Sequence, residues 1–171
     1  PVAAAKQMVT ADHVGQGRFG LNIVCGWNHD EFDMLGVNLA QHEDRYEQGQ
    51  EWVDIITRAW STNKPFDYDG RFYQVHKTDV RPKPYGGDRP MIVCAGNSPR
   101  GRDYAARNAD VMFTNLRSEL DEVPENVSEL KAMAAAYNRN INIFSNVALV
   151  CRPTKKEAEE YFHYYAVENA D

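Results

Sequence analysis

The fold turns on "MIVCAGNSPRG", residues 91–101. An apolar run, Met91 to Cys94, ends at Gly96, and Asn97, Ser98, Pro99 and Arg100 separate it from a second glycine, Gly101. Residues 102–108 then read as helix. Serine is a favoured N-cap and proline suits the first helical position, so a buried strand passes into a helix within a few residues. Gly96 lets the backbone turn sharply and lets a ligand come close. The N–H groups of such a helix start point outward with the helix's positive pole behind them, which makes an anion site whose usual occupant is phosphate. A plain capped helix after a tight turn is written with the same residues, so the motif alone leaves both readings open. Arg100 or Arg102 would add charge to the first.

The pattern extends in both directions. Val2 to Asp12 is alanine-rich, with Val2, Ala5, Met8 and Val9 on one helical face. Phe19 to Val24 is an apolar run of strand length, and residues 25–41 read as a loop. A long helix follows over 42–61, with Tyr46, Gly49, Val53, Ile56 and Trp60 stepping along one stripe. Asp69-Gly70 between aromatic runs signals a hairpin, and Pro82, Pro84 and Pro90 mark an extended connector. After the 91–108 unit come a strand over 110–114, a helix around Val127 to Tyr137, and a strand over 141–150. Thr154 and Glu157 form a capping box that opens the last helix.

The order is one helix, then strand–helix four times, which predicts βαβ units around a parallel sheet. The strands are almost wholly apolar, as when both faces are covered. Two closures satisfy this, an open doubly wound sheet and a (β/α)8 barrel, and four units are half of the latter. In both, ligands gather at the carboxyl ends of the strands. That rule selects residues 22–31, residues 96–101 and Asn115.

Composition bounds the rest. The chain has 171 residues, 43% hydrophobic and 11% aromatic, enough for one globular domain, here residues 1–171. A net charge of −6, with both signs mixed along the chain, argues against nucleic acid as a partner. No apolar run is long enough to span a membrane. Cys25, Cys94 and Cys151 are far apart and odd in number, which reads as buried thiols in a reducing, cytoplasmic compartment.

Two further clusters lie near strand ends. In "NIVCGWNHDEF", residues 22–32, Asn22 is polar within a strand and needs a partner, either a ligand or a core hydrogen bond. His29, Asp30, Glu31 and Asp33 lack metal-ligand spacing and read as a solvated acidic loop. In "HEDRYEQGQEW", residues 42–52, the acidic start suits a helix N-terminus, and Arg45 beside Tyr46 either reaches an adjacent phosphate or pairs with Glu43 or Glu47.

Taken in order, "GRFGLNIVCGWNHDEFDMLG", "HEDRYEQGQEWVDIITRAW", "DGRFYQV", "RPKP" and "CAGNSPRGRDYAARNADVMFTN" resemble the bacterial luciferase-like flavin monooxygenases, and most of all their pyrimidine and dimethylsulfone monooxygenase branches. The resemblance covers nearly the whole chain. It implies a (β/α)8 barrel of which this chain supplies the middle four βα units, from the third helix through the seventh. Half a barrel leaves open sheet edges, so the stretch alone is expected to fold poorly. The resemblance also implies a two-component enzyme that uses reduced FMN from a separate flavin reductase, with dioxygen, to oxygenate a small organic substrate. Homo-oligomers are common among such proteins. Position by position it implies flavin contacts at Asn22, Glu31, Arg45, Tyr46 and Ser98, and names no catalytic acid or base and no metal. The alkanesulfonate branch carries an arginine and a histidine on the seventh strand, where this chain has Asn146 and Ala148, which disfavours a sulfonate substrate. Two other readings share the barrel or the cofactor: a hydride-transfer enzyme using deazaflavin F420, and a flavin-binding protein without turnover.

Overall fold

The computed structural model describes residues 1–114, 123–146 and 149–170. Asn115 and Ala148, both singled out above, lie outside the described residues. Helix α1 (Val2–Val14) leads into strand β1 (Gly20–Ile23), a short helix α2 (His29–Met34) and the long helix α3 (His42–Ser61). A hairpin of β2 (Phe66–Asp69) and β3 (Gln74–Thr78) intervenes before β4 (Met91–Cys94) and α4 (Pro99–Asn108). Strand β5 (Val111–Thr114), α5 (Val123–Ala136), β6 (Asn142–Ser145) and α6 (Lys155–His163) complete the order.

Strands β1, β4, β5 and β6 form one parallel sheet in that order. Each new strand is added on the same side of the last, so the strand order never reverses. A doubly wound sheet needs such a reversal to place helices on both faces, whereas right-handed crossovers that always advance one way put every helix on one face. This is the winding of a barrel wall, and it decides between the two closures that periodicity left open.

The covered face is built from alternate strand residues. Leu21, Ile92, Cys94 and Met112 are buried against Val53, Ile55, Ile56 and Trp60 of α3, Tyr104, Ala105 and Ala106 of α4, and Leu130 and Ala134 of α5. Burying Ile55 or Ile56, each fully inaccessible, stabilises by about 2–3 kcal/mol relative to exposure. Trp60 also donates its indole N–H to the Ala5 carbonyl at 3.2 Å, tying α3 to α1. The expectation that both strand faces are covered fails within this chain. The other parity presents Met91, Phe113 and Phe144 at 50%, 38% and 55% exposure on the concave side, which in a closed barrel faces the opposite strands.

Three local features differ from the sequence reading. Within the expected loop 25–41, α2 forms because Asn28 caps it, accepting from the Asp30 N–H at 3.1 Å, with Asp30 and Glu31 in its first turn. The hairpin turn is the four residues 70–73 rather than Asp69-Gly70 alone, because the Glu51 carboxylate accepts the N–H groups of Arg71, Phe72 and Tyr73 at 2.7, 2.9 and 3.0 Å. Strand β6 stops at Ser145, so Asn146 follows the strand and is exposed.

At the amino ends of the strands, Asp110 gathers three elements. It accepts from Arg89 at 2.6 and 2.7 Å, from the Ile92 N–H at 2.9 Å and from Arg139 at 3.1 Å. Burial works to raise its pKa, but the Arg89 and Ile92 hydrogen bonds and the two guanidinium charges outweigh it and hold the carboxyl below its ordinary value. This end of the wall is held together by charge; the residues singled out in the sequence lie at the other end.

Candidate functional site

The carboxyl ends of β1 and β4 open into a cavity of ≈ 340 Å³ between the first turns of α3 and α4. Arg45, Tyr46 and Ser98, three of the five residues the sequence singled out, all line it. They arrive from two helices remote in the chain, with Gly26 and Trp27 after β1 and Asn97 after β4 completing the wall. The Thr114 hydroxyl at the end of β5 donates to Asn97 Oδ1 at 2.6 Å, so the neighbouring strand braces the turn.

Ser98 is the N-cap of α4, as its position before Pro99 predicts: its Oγ accepts the Gly101 N–H at 3.1 Å. Pro99 has no N–H and Gly101's is taken, which leaves the Arg100 N–H as the open donor of that turn among the described residues. The two glycines have a reason the sequence did not show. Neither adopts a left-handed backbone. A Cβ on Gly96 would lie 2.8 Å from the Tyr46 phenol oxygen, and one on Gly101 would lie 2.7 Å from it and 2.8 Å from the Gly96 carbonyl oxygen. The turn is therefore packed directly under the Tyr46 ring, which also stands edge-on to His42 and Tyr104 at 5.0 and 5.6 Å between ring centres.

Arg45 is not the surface ion-pair partner that Glu43 and Glu47 made conceivable. Its guanidinium donates to the Gly26 carbonyl, and its Nε is buried without a hydrogen-bond partner. A buried cationic donor left open at a cavity wall is costly unless an acceptor comes to it. Arg100 and Arg102 also bury an Nε without a hydrogen-bond partner, but neither lines the cavity and both reach carboxylates: Arg100 lies 3.4 Å from Glu43 and 3.7 Å from Asp103, and Arg102 lies 2.6 Å from Glu129.

The other two residues sit apart from this cavity. Asn22 pairs in register with Val93 and is exposed on the concave face, its side chain without a hydrogen-bond partner among the described residues. It lines an adjoining cavity of ≈ 380 Å³ that shares Ile23, Val24, Cys25 and Arg45 with the first. Glu31 is exposed on α2 and lines neither cavity.

Of the lining residues that went unread as site residues, three carry titratable groups of note. His42 stands one turn before Tyr46, a spacing that puts both on one face of α3. Cys25 and Cys94 line the floor as well as the core, and burial pushes their thiols up to about 11 and about 12, the nearby Arg45 charge moderating Cys25. They are unreactive wall, not nucleophiles.

The profile of the luciferase-like monooxygenases matches residues 1–170. The chain belongs to this family. The FMNH2-dependent dimethylsulfone monooxygenase of Pseudomonas fluorescens (strain Pf0-1) is 36% identical over 159 residues, 93% of this chain and 43% of that protein. The pyrimidine monooxygenase RutA of Acinetobacter baylyi is 34% identical over 115 residues, 66% of this chain and 30% of the relative. Among solved structures, the EDTA monooxygenase EmoA from Chelativorans sp. BNC1 superposes with a TM-score of 0.88 at 20% identity, covering 96% of this chain and 45% of the other. The chain thus spans between 30% and 45% of the length of these three proteins. That agrees with a sheet wound as part of a barrel.

Proposed function

We propose that the protein carrying this chain is a two-component monooxygenase that takes reduced FMN from a separate flavin reductase and uses dioxygen to oxygenate a small organic substrate. The observation that carries this reading is the convergence of Arg45, Tyr46 and Ser98 on one cavity at the carboxyl end of a barrel wall. The cavity fits a phosphate. It combines a buried guanidinium Nε with no partner, the capping hydroxyl of Ser98 and, among the described residues, an open N–H at a helix start. The relatives named for FMNH2 support the choice of flavin.

In this reading the phosphate end of FMN is held by Arg45, Ser98 and the first turn of α4, with Tyr46 closing over it. Asn22, on the concave face, contacts the isoalloxazine, and Glu31 approaches it from α2. Bound reduced flavin supplies the electrons that activate dioxygen. The chain's own residues anchor, orient and shield it; among the described residues none is assigned as acid or base. Among the described residues no helix is long and apolar enough to cross a membrane, and we place the protein in the cytoplasm as an assembly of identical subunits.

The test is a substrate screen of the intact protein coupled to an NADH-dependent flavin reductase, read as product formation and oxygen uptake above the reductase alone. Oxygenation of a small neutral organic compound supports the reading. Binding of FMN with no oxygenated product from any compound would favour the flavin-binding protein without turnover, and hydride transfer from reduced F420 would favour the deazaflavin enzyme. Because Asn146 and Ala148 offer no cation, sulfite release from alkanesulfonates is expected to be negligible.

A further inference from the structure

One side chain of the cavity is arranged for more than packing. His42 Nε2 lies 3.5 Å from Ser98 Oγ, and its Nδ1 lies 3.3 Å from Glu43 Oε1. The ring is held edge-on to Tyr46, whose phenol is seated on Gly96 and Gly101. Its orientation is therefore set from both sides: Glu43 on its own helix, and the α4 start across the cavity.

The hydrogen-bond roles follow from the partners. A carboxylate only accepts, so Nδ1 carries a proton and donates to Glu43. Nε2 is the variable nitrogen. Without its proton it accepts from the Ser98 hydroxyl. With it, the imidazolium presents a charged donor at the α4 N-terminus, where Ser98 Oγ already accepts from Gly101. Imidazole is the side chain that exchanges a proton most readily near physiological pH. The charged and titratable groups around it are Glu43, Arg45 and Tyr46 on α3, with Ser98 and Arg100 on α4. Arg100 pairs with the other oxygen of Glu43, at 3.4 Å.

We infer that His42 is a further phosphate-binding residue of this cavity and takes up a proton as the phosphate docks, releasing Ser98's hydroxyl to donate to the same anion. This rests on the flavin-phosphate reading above and adds to it a residue and a proton. Glu43 is the positioning residue, keeping Nδ1–H occupied so that Nε2 alone faces the ligand.

The experiment is anaerobic calorimetry of the intact protein with reduced FMN and with reduced riboflavin at pH 7.5, in two buffers of different ionisation enthalpy. Wild type is expected to bind FMN with net proton uptake and riboflavin with none. His42→Gln is expected to bind FMN about tenfold more weakly, by loss of one charge-assisted hydrogen bond, with the uptake abolished and riboflavin affinity unchanged. Uptake that persists in His42→Gln would assign the proton to the phosphate itself and overturn the proposal. So would equal losses of FMN and riboflavin affinity, which mark a merely structural role. If wild type binds the two flavins equally, the phosphate reading fails and His42 with it; if wild type prefers FMN and the variant is indistinguishable from it, only the His42 assignment fails. The ¹⁵N shifts of the wild-type His42 ring give a check that needs no variant: they should move to the imidazolium range with FMN and stay put with riboflavin.

Discussion

The Tyr46 phenol rests on Gly96 so closely that a Cβ there would lie 2.8 Å from its oxygen. A residue of α3 and the turn after β4 thus share one volume, and each limits the other. Gly96→Ala is expected to cost about 1–3 kcal/mol by overpacking. Tyr46→Phe removes the nearest colliding atom, so Gly96→Ala made in that background should cost less, although the Gly101 Cα still lies 3.0 Å from the new Cβ. Gly101→Ala should find less relief, because its Cβ meets the Gly96 carbonyl oxygen at 2.8 Å, a closer backbone contact than the one at Gly96, and backbone cannot swing aside. Denaturant unfolding of the three single variants and the two double variants measures the difference. Equal costs for Gly96→Ala in both backgrounds would show that Tyr46 is not the limiting neighbour.

Ser98 has two duties that one substitution can separate. It caps α4 through the Gly101 N–H, and in our reading its hydroxyl donates to phosphate. Ser98→Asp keeps the cap and favours the helix dipole, so stability should stay within about 0.5 kcal/mol of wild type. Its carboxylate faces the same cavity as an anionic ligand, so affinity for reduced FMN should fall at least tenfold. A variant that is stable and binds FMN normally would place the phosphate elsewhere.

The Asp110 cluster predicts how the fold responds to acid. Its folded pKa is depressed, so its contribution is present above the unfolded value and is lost as pH falls through the folded one. Stability should therefore decline below about pH 4. Asp110→Asn removes the charge that Arg89 and Arg139 share and turns an amide N–H₂ toward donors, and should cost about 2 kcal/mol at pH 7, with a shallower decline in acid. Parallel acid limbs for wild type and variant, measured by urea unfolding from pH 3 to 7, would contradict the assignment.

Glu51 is expected to matter for the hairpin in the same way. Three backbone N–H groups converge on its carboxylate, and a Cβ on Gly70 would lie 2.3 Å from Oε2. Glu51→Gln turns an amide N–H₂ toward donors and should destabilise by about 1–3 kcal/mol, with faster amide exchange confined first to residues 70–73. Unchanged exchange there would mean that the hairpin holds its turn without α3.

Legibility in the sequence followed burial. Helix α3 was readable end to end because Val53, Ile56 and Trp60 form an uninterrupted buried stripe. Helix α2 was not, because none of its residues is buried and only its cap and acidic first turn mark it. The closure of the sheet was hidden from periodicity because strand order is a property of pairing, not of any one strand. At the site, Ser98 was legible from local capping chemistry and Arg45 from family resemblance. The role of Gly96 was not legible: its constraint is a tyrosine fifty residues earlier, a distance in sequence that no local rule spans. Arg100 and Arg102 misled for the reverse reason. Their positions suit an anion, but Glu43 and Glu129 hold them outward.

The most direct measurement is anaerobic titration of the intact protein with reduced FMN for wild type, Arg45→Ala and Ser98→Ala. Each variant removes one charged or charge-assisted contact, and each is expected to weaken binding about 10- to 100-fold. Unchanged affinity in both variants would contradict the claim that this cavity holds the flavin phosphate.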